Sequence, residues 1–226
     1  NTDPYQPIEQ RYRITRQVLE VFAETGHPCT IVTKSARIER DLDLLTDLAR
    51  RNLVFVAVSV TTLDNRLAAK LEPRASAPHR RLEAIARLSE AGVPTGVFAA
   101  PIIPMINDRD LEAILERGRA AGARTAGYTL VRLPHEVKDL FREWLGIHFP
   151  ERAQHVMSLI RQMRGGRDND PRFGHRMRGE GPFADMIRAR FHVARRRLGF
   201  ATRDEIALDT TAFVPPRPPS AQGELF

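Results

Sequence analysis

Leu53-Val54-Phe55-Val56-Ala57-Val58-Ser59-Val60 is the stretch on which the fold turns. It is an unbroken apolar run, short enough for a strand and rich in β-branched residues. Such a run reads as a strand covered on both faces, the usual condition in a parallel sheet. The flanking segments agree. Upstream, Pro28 to Lys34 reads as a strand carrying Ile31, Val32 and Thr33, and a helix with Leu42, Leu44, Leu45 and Leu48 joins the two. Downstream comes a helix with Ser76 as cap, Pro78 in its first turn, Leu82, Ile85 and Leu88 on one face, and Gly92 as its stop. Pro94 to Ile103 is a third strand. A helix capped near Asn107 or Asp108 carries Leu111, Ile114 and Leu115 and ends at Gly122, and Thr125 to Leu133 is a fourth strand. Strands joined by crossover helices predict an α/β fold with a parallel sheet.

The ends of the chain read differently. Asn1 to Glu9 (NTDPYQPIE) is a stiff turn with two prolines, followed by an amphipathic helix with Ile14, Val18, Val21 and Phe22 on one face. A turn of this composition belongs between a strand and a helix, so the expectation is a strand before Asn1. After Pro134 the pattern becomes helical: Val137, Leu140, Phe141, Trp144 and Leu145 form one stripe. Pro150 opens a second helix with Met157, Ile160 and Met163. Arg164 to Gly181 reads as an ordered loop or clamp, Pro182 to Leu198 as a basic helix, and Pro215, Pro216, Pro218 and Pro219 as an extended tether. The reading is therefore a barrel-forming part over 1–134, an arginine-rich helical extension over 135–200 and a proline-rich tail over 201–226.

Hydrophobic residues make up 42% of the 226, enough for a substantial core, and no apolar run approaches the roughly 18 residues of a membrane span. One cysteine excludes an internal disulfide framework, excludes a metal site needing several thiolates from this chain, and fits a reducing cytoplasm. No membrane partner is expected. The net charge of +7 is concentrated: Arg161 to Arg197 holds eleven arginines, no lysine and four acids, and the remainder is balanced. An excess made only of guanidinium groups suggests phosphate contact, with Arg161, Arg164, Arg167, Arg195, Arg196 and Arg197 as candidates. A solvated basic surface is the competing reading. The seven histidines contain no HExxH pattern, and Asp168 and Asp170 do not continue into a calcium loop.

Active sites of parallel α/β folds lie at the carboxyl ends of the strands. Here those ends offer Thr33-Lys34-Ser35, Ser59-Val60-Thr61-Thr62, Ala99 to Pro104, and Val131 to Pro134, beside Thr2, Asp3 and Glu9 of the opening turn. A carboxylate, an ammonium, several hydroxyls and an apolar ledge suit a zwitterionic ligand with a flat heterocycle. Lys34 would meet its carboxylate, Asp3 its amine, the hydroxyls a ribose, and Ile102 a base face.

The ordered set NTDPYQPIE, VTKS, VSVTTLD, LEPRA with HRRLEAI, AAPIIPMIND and GYTLVRLP resembles radical S-adenosylmethionine proteins related to spore photoproduct lyase. MSLIRQMRGGRDNDPRFG and MRGEGPF look like the arginine-rich carboxyl region of one bacterial branch. The resemblance implies a partial (β/α)6 TIM-type barrel, here without its first two strands and followed by C-terminal helices. It also implies a 4Fe–4S cluster on a CxxxCxxC loop and S-adenosylmethionine chelated to the fourth iron, cleaved to a 5′-deoxyadenosyl radical that abstracts hydrogen. A reductant such as flavodoxin or ferredoxin is implied with it. By resemblance Thr2 and Asp3 lie beside the methionyl and ribose part, Lys34 and Ser59 hold the carboxylate, Ala100 meets the adenosine through its backbone, and Ile102 lies nearby. Glu72 and Arg74 match a recurring feature of unassigned role. The catalytic residues are unknown.

The sequence departs from the pattern in having no CxxxCxxC. Cys29 lies at a strand start, away from the strand-end face, and reads as a small core residue. The expectation is that the chain is the carboxyl part of a longer cytoplasmic iron–sulfur enzyme acting on nucleic acid as a repair lyase. A radical enzyme acting on a small molecule or protein, and a non-catalytic nucleic-acid-binding module, are the alternatives. Gln222-Gly223-Glu224-Leu225-Phe226 also resembles the peptide by which repair proteins dock on the DNA sliding clamp, presented on a proline tether.

Overall fold

Val54, Val56, Ala57 and Val58 have no solvent exposure, as an apolar run predicts for a strand covered on both faces. The computed structural model describes residues 3–173, 175–202 and 204–216. Four strands, β1 (Cys29–Thr33), β2 (Val54–Ser59), β3 (Thr95–Ile102) and β4 (Thr125–Leu130), pair in parallel in the order β1-β2-β3-β4. Register is set by pairs such as Ile31 with Val56, Val58 with Val97, and Phe98 with Gly127. A doubly wound sheet reverses its strand order at a switch point. Here each new strand is added on the same side, the succession found in a (β/α) barrel.

Helices α1 (Glu9–Tyr12) and α2 (Ile14–Thr25) precede the sheet; α3 (Leu42–Arg50), α4 (Asn65–Leu71), α5 (Pro78–Glu90) and α6 (Leu111–Ala120) lie between strands. Then come α7 (Val137–His148), α8 (Ala153–Gln162) and α9 (Pro182–Arg197). The core joins Leu45 and Leu48 of α3, Ile85 and Leu88 of α5, and Ile114 and Leu115 of α6 to the strands, and continues through Met157, Ile160, Ile187 and Phe191. Helix α6 approaches β3 closely: a Cβ on Gly118 would lie 2.5 Å from Val97 Cγ1. Gly92 and Gly122 adopt positive φ and end α5 and α6, as expected.

Several local expectations are corrected. Ser76 does not cap α5; its hydroxyl accepts from Ala36 N at 2.9 Å, and the N-cap position is Ala77. Asn107 makes no cap bond, because its side chain is spent on the β3 loop. Helix α4 was not foreseen; Asp64 caps it through the Arg66 and Leu67 amides. Of the apolar stripe of α2 only Phe22 packs against the core; Ile14, Val18 and Val21 are 56%, 42% and 49% exposed, and Leu19 is the buried residue. The described part of the tail runs back along the body, with Asp209 N donating to Asn52 O and Val214 N to Thr25 O. Pro218, Pro219 and the Gln222–Phe226 peptide lie outside the described residues. Among the described residues no helix is long and apolar enough to cross a membrane.

Candidate functional site

The strand order places Thr33, Ser59 and Ile102 at one end of the sheet, and the loops leaving those strands build the site. Thr2 lies outside the described residues. Asp3 reaches the end of β1: one carboxylate oxygen accepts from Tyr5 N at 2.8 Å and Thr33 Oγ1 at 2.6 Å, the other from Lys34 N at 2.7 Å. The opening turn is thereby tied to the strand it faces. Lys34 is one-third exposed and its Nζ lies 2.5 Å from Glu72 Oε1.

Glu72, at the end of α4, is the hub. Besides Lys34 it receives Arg81 Nη2 on Oε2 at 2.7 Å and the Thr61 hydroxyl on Oε1 at 2.8 Å. Arg81 is fully buried, and its guanidinium also donates to the Ser76 carbonyl at 2.6 Å and the Ser59 carbonyl at 3.0 Å. The Thr61 hydroxyl lies 3.0 Å from the Ala100 carbonyl, and Asn107 Nδ2 donates to the carbonyls of Thr61 and Pro101. Burial pushes the Glu72 carboxyl up, but the Lys34 and Arg81 charges and hydrogen bonds outweigh it. The carboxyl sits below its ordinary range and is ionised at neutral pH.

Asp3, Lys34, Ser59 and Ala100 therefore belong to one connected polar network. Ile102 does not present a ledge; it is 3% exposed, packed in the core, with its carbonyl accepting from Val131 N at 2.9 Å. Sequence reading missed Arg81 and gave Glu72 no role. The signal for Arg81 was available: it stands four residues before Ile85 and seven before Leu88, on the buried face of α5. An arginine on that face needs a buried carboxylate, and Glu72 supplies it.

The arginine segment divides. Arg164 is corrected as a candidate phosphate contact: it is 1% exposed, and its guanidinium donates to the carbonyls of Val131 and His175 at 2.7 and 3.2 Å. It closes the end of β4. Arg161 is bound to Asp168 at 2.9 Å, Arg197 to Glu116, and Arg195 donates to the Ala201 carbonyl at 3.1 Å. Arg190, outside the candidate set, joins α9 to α6 through Glu112 at 2.6 Å. Arg167 and Arg196 are exposed and have no ion pair among the described residues.

Cys29 opens β1 at the end of the sheet opposite this network. Burial pushes its thiol up to about 11, so it is protonated at neutral pH. One neutral thiol there does not fit an iron–sulfur cluster, which is held by thiolates. Among the described residues no three His, Cys, Asp or Glu side chains are grouped to hold a metal ion.

Residues 2–118 match the sequence profile described as Radical SAM superfamily. An uncharacterized protein of Mycobacterium tuberculosis is 32% identical over 164 residues, 72% of this chain and 48% of the relative. An uncharacterized protein of Acidianus two-tailed virus is 38% identical over 119 residues, 50% of this chain and 38% of the relative. A protein of Pseudomonas phage M6 named Radical SAM Nalpha-GlyT isomerase is 28% identical over 167 residues, 73% of this chain and 34% of the relative. The chain spans about half the length of the first of these relatives.

Proposed function

The chain belongs to the radical SAM superfamily, and on that premise we propose that it provides the S-adenosylmethionine-facing part of an iron–sulfur enzyme that acts on nucleic acid, in the manner of spore photoproduct lyase. The observation that carries the cofactor half of this reading is the single network joining Asp3, Lys34, Glu72, Ser59 and Ala100 at the strand ends. Its donor set suits a zwitterionic nucleotide. The Lys34 ammonium is reachable from solvent and can turn from Glu72 to a methionyl carboxylate, while Arg81 keeps Glu72 charge-balanced. Asp3 offers a carboxylate to an amine beside it, and the Ala100 main chain lines the same end. S-adenosylmethionine bound with a reduced cluster supplies hydrogen-abstracting radical chemistry. The residues described here bind and orient it, and cluster ligands are not among them.

The nucleic-acid half rests on the +7 concentrated in one segment and on the exposure of Arg161, Arg167, Arg196 and Arg197. Contact of this kind is electrostatic and independent of sequence. Neutralising Arg195, Arg196 and Arg197 together should weaken binding of a single-stranded oligonucleotide to the reconstituted holoenzyme, and affinity should fall steeply with added salt. A gel-shift titration over a salt series reads both. Salt-insensitive binding, or none, contradicts the proposal. A second reading, an isomerase or another enzyme with a small-molecule or protein substrate, is favoured by the in-chain pairing of Arg161, Arg190 and Arg197 and by the name of the phage relative. Under it the triple variant leaves substrate binding unchanged.

A further inference from the structure

Beside the strand-end network, between the turn after β1 and the loop leading into α5, lies a shallow, open cavity of about 340 Å³ lined by Ala36, Arg37, Arg74, Ala75, Ser76 and Arg80. Three arginines from three separate segments converge on it. Arg37 comes from the turn after β1, Arg74 from the loop after α4, and Arg80 from the first turn of α5. Their pairing is unequal. Arg80 is offset by Glu83 and, at 3.7 Å, by Glu39, and Glu39 is also bound to Arg87 at 2.6 Å. Arg37 and Arg74 have no ion pair among the described residues, and Arg37 Nε is buried without a hydrogen-bond partner among them. A buried donor left unmatched costs free energy until something accepts from it.

The surroundings favour an anion. Helix α5 begins beside this cavity with Pro78, no side-chain cap and no acid in its own first turn, so its amino-terminal N–H groups are not capped by a side chain. The Ser76 hydroxyl accepts from Ala36 N and retains its own proton to donate. Arg37 and Arg74, without ion pairs, line one volume together with Ser76 and Arg80, beside the amino-terminal end of α5. A flat carboxylate is served by one guanidinium fork, whereas a tetrahedral phosphate presents oxygens in several directions at once.

We propose that this cavity is a phosphate-binding site, seating one phosphate group next to the Lys34–Glu72 network. The link is short: Ser76 N donates to the Lys34 carbonyl at 3.2 Å, so a phosphate held here lies on the same rim as the cofactor face. The occupant is either a phosphodiester of a bound strand, which rests on the nucleic-acid reading above, or a phosphate of a small molecule, which does not.

Isothermal titration of the full chain with inorganic phosphate, and separately with a single-stranded oligonucleotide, tests the site and distinguishes its sources. Arg74 is exposed on the rim, so Arg74→Ala leaves the fold intact. It should weaken phosphate binding roughly tenfold, the loss expected for one charge-assisted contact. Arg37→Met should do the same, and Arg109→Ala, an exposed arginine outside the cavity, should leave it unchanged. If both ligands bind and both weaken in the Arg37 and Arg74 variants, the site takes a nucleic-acid phosphate. If inorganic phosphate alone behaves this way, the site stands with a small-molecule phosphate as its occupant, and the nucleic-acid reading is left to the Arg195, Arg196 and Arg197 variant. If inorganic phosphate does not bind, or binds with no dependence on Arg37 and Arg74, the site is overturned.

Discussion

Glu72 holds two cations that would otherwise face each other across the strand ends. Its side chain is 11% exposed, with Lys34 at 2.5 Å and the buried Arg81 at 2.7 Å. Removing one member of a buried pair strands the other charge, so Glu72→Ala should cost about 3 kcal/mol, read as a shift in the urea midpoint. Glu72→Gln should cost less, because its amide oxygen still accepts from Arg81. The pH dependence follows from the lowered carboxyl. A carboxyl depressed in the folded state contributes stability above its unfolded value, about pH 4.3, and loses it as pH falls through the folded value. Wild-type stability should therefore drop on going from about pH 6 to about pH 3, and the drop should be shallower in Glu72→Gln. Equal slopes would remove Glu72 from the ledger. At this scale the sequence was partly legible. Asp3, Lys34 and Ser59 could be found because strand ends are recognisable from the hydrophobic pattern. From the sequence Glu72 has no assigned role, the partner of Arg81 is not foreseen and Asn107 reads as a helix cap, because a buried polar side chain is assigned by the partner it meets across the fold and not by its neighbours in the chain.

Among the elements, the α6–β3 contact is the tightest test of how the helical layer sits on the sheet. Gly118 brings α6 against Val97, and an added methyl would meet Val97 Cγ1 at 2.5 Å and Cβ at 2.6 Å. Val97 is β-branched, fully buried and fixed in a strand, so it has little freedom to yield. Gly118→Ala should destabilise by about 1–3 kcal/mol despite the higher helix propensity of alanine. A thermal midpoint equal to or above the wild type would show that α6 can slide outward. Strands and long helices were legible because period and caps are local signals: the runs at 28–34, 53–60 and 94–103 each contain a strand. What failed at this scale depended on distant partners. The stripe Ile14, Val18, Val21, Phe22 has the right period for burial, yet in the packing of the described chain only Phe22 of the four meets the core, beside the buried Leu19. Arg164 reads as one more basic residue of a charged segment until β4 is seen to end beneath it.

For the molecule as a whole, the consecutive parallel order and the polar network at one end of the sheet are two independent features that coincide. Parallel pairing follows from crossover connections and was legible from the alternation of apolar runs and helices, whereas the consecutive order was implied by the family resemblance. The second required Lys34, Glu72, Arg81, Thr61 and Asn107 to be brought together from five separate segments, which no local pattern encodes. The central claim is that this end of the sheet is the nucleotide-facing surface of a radical SAM protein. The most direct test is an amide NMR titration of the isotopically labelled chain with S-adenosylmethionine, followed residue by residue. The account predicts weak binding, with shifts concentrated at Asp3, Lys34, Ser59, Thr61 and Ala100 and reduced in Lys34→Met. Absence of shifts at millimolar ligand, or shifts confined to the outer faces of α3, α5 and α6, would contradict it.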